Sequence, residues 1–117
     1  MHYKSLKDGM NTFNEAYGPA ATPLIESLAL QYEAVTQKAP VSWVVQQYEN
    51  GLVLLHPMAV DHTHQRQLDR LDSGSMFMNA AANVYSALSE RDEETDLLAT
   101  LQLAVERAGE IRPKEAL

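Results

Sequence analysis

Residues 41–56, VSWVVQQYENGLVLLH, decide the fold. Trp43 to Tyr48 and Leu52 to Leu55 are rich in β-branched, aromatic and aliphatic residues, with Glu49-Asn50-Gly51 between them. Asn-Gly accepts the left-handed backbone that a tight turn requires, so the pattern signals a β-hairpin. Wound as a helix, Val41, Val44, Val45, Tyr48, Leu52 and Leu55 would also share a face, but Gly51 interrupts it. Residue type and turn together favour the hairpin. With Asn50-Gly51 as a two-residue turn, Val44, Tyr48, Val53 and Leu55 point one way. Trp43, Val45, Leu52 and Leu54 point the other. A lone hairpin is marginal in water, so it must lie on helices or pair with another chain.

Working toward the N-terminus, the spacing of Ile25, Leu28, Tyr32 and Val35 predicts a helix over 22–38. Thr22 is its cap and Pro23 its first residue. Leu6, Met10, Phe13 and Tyr17 predict an earlier helix over 5–17, with Ser5 as cap, Asp8 in the first turn and Gly18-Pro19 as the stop. Toward the C-terminus, a short helix is expected over about 61–71, with Leu68 and Leu71 on one side. Asp72 to Ser75 reads as loop and cap. A helix over 76–89 follows, with Phe77, Ala81, Val84 and Leu88 in register, and Ala80, Ala81 and Ala82 allowing close approach of a neighbour. Asp92, Glu93 and Glu94 suit the positive start of a last helix, whose face is Leu97, Leu98, Leu101, Ala104, Val105 and Ala108, with Gly109 and Pro113 at its end. The expected fold is mostly α with a small β-hairpin (α+β). Four to five short helices form an irregular bundle in one domain over 1–117, with 110–117 a flexible tail.

Composition narrows the function. The 117 residues carry 9 basic and 16 acidic side chains, for a net charge of −7. Phosphate backbones and anionic membranes attract clustered Lys and Arg, and here the basic residues are scattered. Direct nucleic-acid binding and membrane attachment are not expected. The acids gather between Glu90 and Asp96 rather than in rows, which argues against mimicry of a duplex. No cysteine is present, so disulfides and thiolate chemistry are excluded. No stretch is long and apolar enough to span a bilayer, and residues 1–7 are no secretory leader, so a cytoplasmic protein is the expectation.

The chemistry-bearing residue types are sparse. Asp61-His62-Thr63-His64, with His56 nearby, is the densest group of ligand types. Histidines two apart diverge on a helix, and the spacing matches no recognised metal motif, so no metal is expected. His62 or His64 as a general base lacks a visible nucleophile, and no enzyme is expected. Ser73-Gly74-Ser75 is a helix start rather than a nucleophile elbow, which needs glycines on both sides of the serine. The glycines are isolated, so no Walker or Rossmann loop and no cofactor is expected.

What remains is apolar surplus. Trp43, Leu54, Met76, Met78, Leu30 and Leu103 fall outside the inward stripes, Val45 and Leu52 share the Trp43 face of the hairpin, and aromatic residues and Met are enriched at interfaces. The sequence therefore reads as a small regulatory protein, an inhibitor, antiactivator or adaptor, that binds another protein through these residues. The partner carries a basic surface, and the chain self-associates as a homodimer. The alternative is an oligomeric small-molecule-binding protein with a pocket between helices.

Overall fold

A computed structural model of the chain describes residues 3–6, 10–90 and 95–111. Among them are three strands and five α-helices: β1 (Tyr3–Leu6), α1 (Met10–Tyr17), α2 (Ala21–Thr36), β2 (Ser42–Tyr48), β3 (Val53–Met58), α3 (His62–Asp69), α4 (Ser73–Glu90) and α5 (Thr95–Ile111). The fold is mostly α with a small antiparallel β element, as the sequence leads one to expect.

The hairpin is present, but its loop has three residues. Gly51 N–H donates to the Tyr48 carbonyl at 3.0 Å and Tyr48 N–H to the Leu52 carbonyl at 2.8 Å, and Gly51 takes φ +90°. That is a tight turn closed by a left-handed glycine, the usual three-residue solution. The added loop residue slips the register by one from the two-residue expectation, to Val45↔Leu55 and Gln47↔Val53. Because side chains alternate, the slip changes which residues share a face. Trp43 and Val45 now accompany Val53, Leu55 and Pro57, not Leu52 and Leu54.

A third strand completes the sheet in the order β1-β2-β3, with Tyr3 opposite Tyr48 and Leu6 opposite Val45. The helix expected from residue 5 therefore begins at Met10, and Ser5 belongs to a strand instead of capping a helix. Local periodicity carries no trace of this pairing, because β2 lies beyond two intervening helices. Asp8 lies outside the described residues.

Smaller corrections follow from packing. A 3-10 turn at Gly18–Ala20 joins α1 to α2, so α2 starts at Ala21 without a side-chain cap, and Thr22 lies inside it. Its buried face is Leu24, Leu28, Tyr32 and Thr36, one residue round from expectation, and Val35 is exposed. The helix ends on Gln37 in left-handed geometry, ahead of Lys38. Helix α4 begins at Ser73. Asp72 accepts from Gly74 N–H and Ser75 Oγ there. Its face of Phe77, Ala81, Val84 and Leu88 is buried as expected, with Ala80 alongside. Helix α5 runs through Gly109 to Ile111 and buries Leu101, Ala104 and Ala108. Glu110 and Ile111, expected to begin a tail, are thus helical; the expected acidic start at 92–94 and the rest of the expected tail lie outside the described residues.

The core gathers around β3. Helices α1, α3 and α4 all pack against it, and Leu52 to Leu55 and Pro57 are buried. Its outer edge is closed by side chains. Tyr17 donates to the Val53 carbonyl, and the Gln65 amide accepts from Ala59 N–H at 2.7 Å while donating to the Pro57 carbonyl at 3.0 Å. Pro57 fits there because an edge position asks no hydrogen of it.

Candidate functional site

The apolar residues singled out in the sequence do not form one surface. Val45, Leu52 and Leu54 are 1 %, 1 % and 0 % exposed, so the core takes them and they are not available to a partner. Trp43, Met76 and Met78 are half-buried against that core, and the Trp43 ring packs on Tyr32 with centroids 6.1 Å apart. Leu103 remains 45 % exposed and Leu30 66 %. The helices packed on the sheet account for the difference: both faces of β3 carry apolar residues, and both are buried, with α1, α3 and α4 against the strand.

Among the concavities left once the core is closed, two have a largely apolar lining. One is an open groove of about 380 Å³ between α4 and α5, lined by Ala81, Ala82, Tyr85, Ser86, Leu101, Gln102 and Val105. The alanines put little bulk at its base, and the close helix approach they permit is realised, with Ala80 and Ala81 fully buried. The other is a smaller, better enclosed pocket of about 90 Å³ where α1, the hairpin turn and α5 meet, beside Leu103 and Arg107.

The histidines do not converge. His64 is 5 % exposed and its backbone N–H is taken by Asp61, the cap of α3. Its Nδ1 lies 3.5 Å from Gln67 Oε1, while Nε2 is buried without a partner among the described residues. His62 faces solvent. Among the described residues no three His, Cys, Asp or Glu side chains come together as a metal site would need.

His56 enters an arrangement that sequence reasoning missed. Its Nε2 lies 2.7 Å from Asp69 Oδ1 and its Nδ1 lies 3.4 Å from Ser73 Oγ. The three residues come from β3, α3 and α4, so no local spacing announces them. Serine, histidine and carboxylate in line are the parts of a nucleophilic relay, but the relay also needs free backbone donors for an oxyanion. The adjacent Gly74 N–H is already held by Asp72 at 3.2 Å. The row acts as a polar clamp across three elements. Asp69 is held below the ordinary carboxylate range, foremost by the Gln65 amide, which outweighs the cost of burial, and then by His56. Close by, burial pushes the Tyr32 phenol up; its hydroxyl faces Ser73, without a hydrogen bond of ordinary geometry, and the charge of Asp72 adds to the rise.

No helix among the described residues is long and apolar enough to cross a membrane. Compared with protein-family models, curated proteins and solved structures, the chain matches none.

Proposed function

We propose that this is a small non-enzymatic regulatory protein that binds another protein and occupies an interface the partner needs, as an inhibitor, antiactivator or adaptor. The observation that supports this reading is the groove between α4 and α5. A trough with an alanine base and flanking Tyr85 and Val105 suits the apolar stripe of an incoming helix. Ser86 and Gln102 on its border offer polar contacts. With a net charge of −7, the chain attracts a basic partner and speeds its encounter. The same trough is open to a second copy of the chain, which would make the protein a homodimer in the cytoplasm.

The test is a pair of substitutions, Ala82→Arg and Val105→Glu, which fill and charge the trough. Both should abolish partner capture while circular dichroism stays unchanged. Light scattering should report twice the 13.0 kDa chain mass for the wild type if the partner is a second copy. Unchanged capture and unchanged mass in both variants would defeat the reading.

A second reading, a small-molecule-binding protein, draws on the enclosed pocket at Leu103 and Arg107.

A further inference from the structure

We propose that the pocket between α1, the hairpin turn and α5 binds an aliphatic carboxylate, with Arg107 as the group that receives it. This rests on the second reading above and is independent of the α4–α5 groove. Ala16, Leu52, Leu103 and Ala104 make an apolar wall, and Tyr17, Thr100 and Arg107 are the polar members. The hydroxyl hydrogens are spent: Tyr17 donates to the Val53 carbonyl and Thr100 to the Asp96 carbonyl. Arg107 differs. A guanidinium carries five N–H donors and accepts nothing, and among the described residues this one closes no hydrogen bond or ion pair.

The cation is nevertheless held in place. A Cβ on Gly51 would fall 3.1 Å from Nη1 and 3.3 Å from Cζ of Arg107, so the guanidinium lies against the bare backbone of the turn. Asn50 Nδ2 donates to the Arg107 carbonyl at 3.0 Å and to Glu110 Oε1 at 3.2 Å, which fixes α5 to the same turn. The positive charge reaches Tyr17, whose phenol it draws down against the larger upward push of burial.

The ligand class follows from shape and charge. A planar guanidinium with free donors pairs with a carboxylate through two parallel hydrogen bonds. A cavity of roughly 150 Å³ accepts benzene, so about 90 Å³ takes a branched chain of three or four carbons. The ligand's alkyl group would cover Leu103, which is otherwise half-exposed. A nucleotide or a polyphosphate fits poorly, because one arginine in an acidic protein does not balance several charges. The carboxylate has two possible sources: a free short-chain acid, or the C-terminus of a peptide ending in an aliphatic residue.

The experiment is a titration followed by backbone-amide NMR. The probes are isovalerate, the peptide N-acetyl-Ala-Ala-Val, and the C-terminal amide of that peptide. Both acids should shift Gly51, Thr100 and Leu103, and the amide should not. Arg107→Gln, with its fold checked by melting, should weaken acid binding tenfold or more, about 1.4 kcal/mol. A peptide that binds more tightly than isovalerate identifies a chain terminus as the source; equal affinities identify a free acid. No shift with either acid at millimolar concentration, equal shifts with acid and amide, or unchanged binding by Arg107→Gln would each overturn the proposal. Shifts at these residues with acid and amide alike, persisting in Arg107→Gln, would leave a small-molecule pocket standing while defeating its carboxylate assignment; no shift with any of the three probes would defeat both.

Discussion

The phenol of Tyr17 donates to the carbonyl of Val53 at 2.6 Å, so the end of α1 is fastened to the outer edge of β3 inside the core. Tyr17→Phe keeps the ring and strands the carbonyl. Leaving a buried acceptor unpaired costs about 1–3 kcal/mol, and urea denaturation should show a loss of that size.

Alkaline pH should attack the same place. Burial pushes Tyr17 above the ordinary phenol value of 10.0, and Tyr32 moves the same way. A folded-state value raised above the unfolded one means that the folded protein holds its proton more tightly. The stability involved is intact below pH 10 and drains away as pH rises through and beyond it. Melting temperatures measured on a rising pH series should fall there, and Tyr17→Phe should flatten the fall.

Asp69 gives the opposite slope. Its carboxyl sits below the ordinary 3.8, through the Gln65 amide and then His56. The contribution is present above that value and is lost as pH drops through the folded-state one. The side chain is 52 % exposed, so solvent screens it. Asp69→Asn should cost no more than about 1 kcal/mol at neutral pH, and the difference from wild type should vanish on acidification.

Gly51→Ala should be costly because of its backbone. The backbone sits at φ +90°, while the new methyl, 3.1 Å from the Arg107 guanidinium, needs only a small shift of that side-chain tip. Strain of this kind runs to about 1–3 kcal/mol, readable by thermal melting, and side-chain NMR should report a shifted Arg107 guanidinium.

Trp43→Ala discriminates core from surface. The indole packs on Tyr32 and is half-buried, so the expected loss is about 2–3 kcal/mol, under the 3–5 of a fully buried aromatic. Sedimentation of the folded fraction should match wild type.

Much of the secondary structure was legible because local patterns carry it. Phe77, Ala81, Val84 and Leu88 lie on one stripe and all are buried, and Asn50-Gly51 marks the hairpin turn. The loop length was not legible, since Asn-Gly serves both a two-residue turn and the last two places of a three-residue one. That ambiguity moved Leu52 and Leu54 away from the Trp43 face. Strand β1 was hidden because Leu6 also continues a helical stripe with Met10 and Phe13, and only β2, far along the chain, decides between the two. The clamp of His56, Asp69 and Ser73 and the seat of Arg107 on Gly51 are tertiary coincidences with no local signature.

The order of strands in the sheet has a consequence for biosynthesis. Strands β2 and β3 are neighbours in the chain and can zip together as soon as both leave the ribosome, because a short loop costs little to close. Strand β1 emerges earlier, yet its partner β2 is made only after α1 and α2. During that interval the backbone groups of Tyr3–Leu6 have water or another nascent chain to bond with. Completion of β2 ends that period of exposure by drawing β1 into its own sheet.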